Sequence, residues 1–120
     1  MADLDLHRYL PLNPRVFAIL ASLLAAPAHG YRIKQEVEAR SDGVLTLDPG
    51  SLYRTIARLL EDGVLEEVGA PPHEADEDPR RRYYGVTDFG RALAAAEASR
   101  LRNLLSQPGL EAGLLGGGSA

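Results

Sequence analysis

The chain has 120 residues, 45% of them hydrophobic and 25% charged, and a formal net charge of −4. That length suits one globular domain, able to bury about 65% of its unfolded surface without covalent staples. The absence of cysteine excludes disulfide frameworks, cysteine zinc sites, iron–sulfur clusters and thiol catalysis, and fits the cytoplasm. The longest apolar run, Val16 to Ala26, is too short to span a bilayer, and the N-terminus is acidic where an export signal would be basic. Neither membrane insertion nor export by that route is expected.

Residues 1–13 carry Leu4, Leu6, Tyr9, Leu10 and Leu12 without a period and are interrupted by Pro11, so they read as an N-terminal arm. From Pro14, the spacing of Val16, Ile19, Leu20, Leu23 and Leu24 predicts a first helix ending before Pro27. Tyr31, Ile33 and Val37, with charged residues between them, predict a second amphipathic helix closing near Ser41-Asp42-Gly43. Asp48 is a suitable N-cap with Pro49 in the first turn, and the third helix runs to Asp62-Gly63.

Val64 to Val68 and Arg82 to Thr87 are β-branched and aromatic, and flank an acidic, proline-containing stretch from Pro71 to Pro79; they predict an antiparallel hairpin with a long tip. Thr87 and Asp88 then start a fourth helix reaching Gln107, about 30 Å long. The glycine-rich tail, residues 108–120, has nothing to bury and is expected to be without structure.

Charge is distributed unevenly along this framework. The stretch from Pro71 to Pro79 holds four acids and no base, and the remaining thirteen acids balance the thirteen bases. Arg80, Arg81 and Arg82 form a run, and Arg54 and Arg58 lie one helical turn apart. A negative total therefore coexists with local positive surfaces.

Three helices, a hairpin and a further helix follow the order of a winged helix-turn-helix: a mainly α fold with a small β hairpin, residues 14–87, plus a C-terminal dimerisation helix, residues 88–107. In that fold the third helix enters the major groove. At about 100° per residue, Ser51, Arg54, Thr55 and Arg58 share one arc, with Leu52, Ile56, Leu59 and Leu60 opposite and Tyr53 at the margin. Arginine pairs with guanine O6 and N7, while hydroxyls reach phosphates or bases. The wing arginines Arg80, Arg81 and Arg82 would hold the backbone, with Lys34 of the second helix included in the same DNA-contacting set. The acids of the tip would cover the wing arginines in the free protein. Solvation alone for the helix arginines, or simple pairing of the wing run with Glu74, Asp76, Glu77 and Asp78, is the plainer reading of each feature.

Leu93, Leu101, Leu104 and Leu105 are too many leucines for a solitary solvated helix, and with Leu10 and Leu12 of the arm they are expected at a homodimer interface. Packing of these leucines on the first helix is the competing reading. Two copies about a twofold axis would set their recognition helices roughly 34 Å apart on a palindromic operator. Tyr31 and Tyr53 are expected as core residues with hydroxyl partners, and His29 as a helix-start or packing residue. His7, His29 and His73 are too scattered for a metal site. Nothing supplies a base beside an activated nucleophile, so no catalytic residue and no cofactor is expected.

From about Pro14 to Leu105 the chain resembles the PadR family of bacterial transcriptional regulators, in a short form. The resemblance is carried by His29-Gly30-Tyr31, Pro49-Gly50-Ser51-Leu52-Tyr53-Arg54, Leu59 to Gly63, and Arg80-Arg81-Arg82-Tyr83-Tyr84 leading to Thr87 and Gly90. It implies a winged-helix homodimer on double-stranded DNA, usually a repressor, with the C-terminal helix as dimer contact and, in some relatives, release by a small aromatic ligand. Ala57 and Gly85 depart from the family pattern, where a lysine and a charged strand residue are frequent. No tryptophan is present to build an aromatic effector slot between dimer helices. The alternative is a winged-helix protein-interaction module, which the acidic total would suit; the arginine-bearing face is what such a module would not need.

Overall fold

The computed structural model describes residues 6–74 and 78–114, apart from the side chain of Glu111. Helix α1 spans Pro14–Leu23, α2 Gly30–Arg40, α3 Pro49–Glu61 and α4 Asp88–Leu105; strands β1 (Ala28–His29), β2 (Leu65–Val68) and β3 (Tyr83–Val86) form one antiparallel sheet in the order β1-β3-β2. No helix among the described residues is long and apolar enough to cross a membrane.

Local chemistry sets the boundaries. Asn13 caps α1 by accepting from the Arg15 amide at 2.8 Å, with Pro14 in the first turn. The helix stops at Leu23, sooner than Pro27 alone would require, because Ala28 and His29 pair with Tyr84 and Tyr83 as an edge strand. His29 then turns its Nδ1 to the Arg32 amide and caps α2, in keeping with a helix-start role. Asp48 accepts the Ser51 amide at 2.9 Å to cap α3, and Gly63, at a φ of 75°, closes it. Thr87 does two things: it caps α4 through the Gly90 amide and donates to the Gly63 carbonyl at 2.6 Å, tying the end of α3 to the start of α4.

The core joins Ile19, Leu20 and Leu23 of α1, Ile33 and Val37 of α2, Leu52, Ile56 and Leu59 of α3, Leu65 and Tyr84 of the sheet, and Leu93 of α4. β3, the central strand, is buried along its whole length: Tyr84 and Val86 join the core on one face, and His29, Val68 and Glu74 lie against Tyr83 and Gly85 on the other. The arm is not loose where it is described. Residues 6–9 form a 3-10 turn, Leu6, Tyr9, Leu10 and Leu12 pack on the core, and Tyr9 meets Phe89 edge-on at 5.4 Å. The tail expected to lack structure turns through Gly109 into a five-residue helix, α5, Leu110–Leu114, because the sequence from Leu110 to Leu114 has only one glycine to oppose a helical turn; residues 115–120 lie outside the described residues.

Candidate nucleic-acid interface

The exposed arc of α3 carries a hydrogen-bonded relay. Ser51 donates its hydroxyl to Asp48 Oδ2 at 3.0 Å and accepts from Arg54 Nη2 at 3.3 Å. The Ser51 amide and then its hydroxyl hold the Asp48 carboxyl below the usual carboxylate range, so Asp48 stays charged at neutral pH and orients the serine. Arg54 and Arg58 form no ion pair among the described residues. Ser51, Arg54, Thr55 and Arg58 form one wall of an open cleft of about 1010 Å³. The four α3 residues expected to act together are thus brought together.

A second groove, about 290 Å³, opens on the other flank of α3, between the start of α2 and the wing. Arg80, Arg81 and Arg82 line it, all exposed, together with Tyr31 and Tyr53. Both tyrosines depart from the expected core placement: Tyr31 is 61% and Tyr53 49% exposed. The Tyr53 ring lies directly over Gly30, where no Cβ intervenes. The buried tyrosines are Tyr83 and Tyr84 of β3; burial pushes both phenols above their ordinary pKa, and Tyr83 donates to Glu74 at 3.0 Å. His29 stands edge-on to the Tyr83 ring at 5.6 Å. The sequence signal for the exposed pair was their position: Tyr31 follows the glycine that opens α2, and Tyr53 stands at the margin of the apolar stripe of α3.

Among the described residues, Asp78 of the tip pairs with Arg80. Asp78 accepts the Arg80 amide at 3.0 Å and lies 3.5 Å from its guanidinium, and these contacts hold its carboxyl below the ordinary range. Glu74 accepts from the Tyr83 hydroxyl and lies 3.1 Å from the His73 imidazole. Asp76 and Glu77 lie outside the described residues.

Lys34 does not join either cleft: its ammonium is committed to Glu38 at 2.8 Å on the same helix. Glu38 also accepts the Leu47 amide, so the pair fastens the α2–α3 loop. Of the residues expected at a dimer interface, Leu93 is 1% exposed and belongs to the core of the single chain, because it faces α4's own packing partners. Leu10, Leu12 and Leu101 are half-buried, and Leu104 and Leu105 remain exposed, at 48% and 45%. Among the described residues no group of three or more histidines or acids is placed to hold a metal ion.

Residues 19–96 match the profile of the transcriptional regulator PadR-like family. An uncharacterised protein of Lysinibacillus sphaericus is 30% identical over 74 residues, 62% of this chain; the match spans 65% of that protein's length. Among solved structures, a transcriptional regulator from Clostridium thermocellum aligns over 83% of this chain and 89% of its own at 20% identity, with a TM-score of 0.61. A PadR family transcription regulator from Clostridium difficile aligns over 77% and 91% at 18% identity, with a TM-score of 0.64. At these identities the structural likeness speaks for the fold.

Proposed function

The chain belongs to the PadR-like family of transcriptional regulators, and from that premise we propose that it is a sequence-specific repressor binding a palindromic operator as a homodimer. One observation carries this reading: α3 presents Ser51, Arg54, Thr55 and Arg58 on one flank while Tyr53, Tyr31 and the wing arginines line a groove on the other. The helix supplies base-directed donors, and the wing supplies cations for one phosphate backbone. The tyrosines add hydroxyl donors where that backbone would pass. Arg54, held by Ser51 and Asp48, enters the groove already oriented, which lowers the entropy lost on binding.

Exposed Leu104 and Leu105 near the end of α4 support self-association through that helix, with Leu101 beside them. The site of action is the cytoplasm, and a small-molecule effector, where one acts, would change the angle between the two winged domains.

The test is fluorescence anisotropy of the purified chain with its own upstream DNA and a scrambled duplex, across a salt series. Selective, salt-sensitive binding at two protomers per site is the expected result. Equal affinity for both duplexes, together with no operator recovered by genomic selection, overturns the reading in favour of a protein-docking winged helix.

A further inference from the structure

The cleft beside α3 has a second wall, and the N-terminal arm supplies it. Arg8 of the 3-10 turn and Arg15 in the first turn of α1 line the same 1010 Å³ space as Arg54 and Arg58. We infer that the arm is a third DNA-contacting element, in which Arg8 and Arg15 hold the phosphate backbone opposite the one held by the wing. This rests on the operator-binding reading above.

The arm is placed for such a role. Leu6 and Tyr9 pack against the core, Tyr9 edge-on to Phe89, so the turn bearing Arg8 is held at both ends, and the Leu12 amide donates to the Glu97 carboxylate of α4 just beyond it. Arg15 donates Nε to the Thr46 carbonyl at 3.0 Å, which places its guanidinium beside the loop leading into α3. Neither Arg8 nor Arg15 forms an ion pair among the described residues. Two acids, Asp48 and Asp62, also line the cleft. Asp48 is already engaged by Ser51, and Asp62 forms the C-terminal cap of α3, so four guanidiniums dominate the space. In a chain of net charge −4 this is a concentrated excess of cations.

The geometry selects the occupant. A helix about 10–12 Å across fills a major groove about 12 Å wide, so a sugar-phosphate backbone must run along each flank. One flank of α3 opens on the wing arginines and the other on Arg8 and Arg15. Wing and arm thus form two banks for the two backbones.

The experiment measures full-length wild type, Arg8→Glu, Arg15→Ala and the double variant Arg8→Ala/Arg15→Ala on a duplex across a salt series. A control, Arg40→Ala/Arg91→Ala, removes the same charge from helices outside this cleft. Each lost contact is expected to make the log–log salt dependence shallower by about 0.9, with binding roughly tenfold weaker at fixed salt for the double variant. The control and the melting temperatures should stay near wild type. Arg8→Glu breaks no bond in the fold and so tests the arm even where Arg15→Ala loosens the Thr46 contact. A double variant whose slope and affinity equal those of wild type or the control overturns the inference while leaving the wing and α3 in place. Absence of salt-dependent DNA binding by the wild type overturns both the inference and the reading beneath it.

Discussion

The Tyr53 hydroxyl packs against the bare Cα of Gly30, so the side of the recognition helix and the first residue of α2 meet with no side chain between them. A methyl group at residue 30 would occupy the space of the Tyr53 ring, and because that ring is half exposed it would swing out rather than unfold the protein. Gly30→Ala is therefore expected to leave the melting temperature near that of the wild type, since residue 30 is the first of its helix and gains little from the change. DNA affinity is expected to fall, as it is for Tyr53→Phe and Tyr53→Ala. Paired thermal melts and anisotropy titrations check this; a large loss of stability would show that the ring cannot move.

Arg54 and the wing arginines should separate cleanly in their effects. Arg54→Ala is expected to cost about 1–3 kcal/mol on the operator and to relax the preference at one base position. Arg80→Ala, Arg81→Ala and Arg82→Ala should weaken operator and scrambled duplexes alike and reduce the salt slope by about 0.9 each. Titration of single-base operator variants distinguishes the two patterns.

Glu97 is the one buried acid among the described residues, 3% exposed, with Arg100 bound to it at 2.9 and 2.8 Å and the Leu12 amide donating as well. The Arg100 hydrogen bonds, with that of Leu12, hold its carboxyl below the ordinary range. Its contribution to stability is fully present above the unfolded carboxylate pKa, about 4.3, and is lost as pH falls through the lowered folded value. Glu97→Ala leaves the Leu12 amide without its acceptor and should cost about 1–3 kcal/mol at neutral pH. The same variant should flatten the acid limb of the stability curve, read by melting from pH 3 to pH 7; an unchanged acid limb would exclude Glu97 as its source.

On α4, two kinds of leucine should behave oppositely. Leu104→Arg with Leu105→Arg places charge on an exposed apolar surface and is expected to weaken self-association with little change in monomer folding. Leu93→Ala instead empties core volume and should cost about 2–5 kcal/mol. Sedimentation equilibrium and denaturant titration report the two quantities, and a double-arginine variant that dimerises as wild type does would move the interface elsewhere.

The helix starts were legible because capping is local chemistry: Asp48 before Pro49 and Thr87 before Asp88 announce α3 and α4, and the structure puts both caps in use. Strand β1 was not legible, since two residues have no period and Ala28–His29 becomes a strand only through its partners Tyr84 and Tyr83. The shared face of Ser51, Arg54, Thr55 and Arg58 followed from helical spacing alone. The exposed face of Tyr53 did not, because a residue at the margin of an apolar stripe goes inside or outside according to its neighbour, here a glycine 23 positions away. Leu93 and Leu104 read alike along α4; what separates them is how far the core extends beneath the helix.

The order β1-β3-β2 leaves the hairpin tip as a free variable for evolution. Tyr83 pairs on one side with His29, itself the cap of α2, and on the other with Val68, so Arg82 is one residue from a point fastened on both sides. Lengthening the chain between Glu74 and Asp78 need not disturb the strand pairing of Tyr83. A lineage can thus retune how the wing meets its partner by changing the loop, while the strand that follows the basic run keeps its place in the sheet.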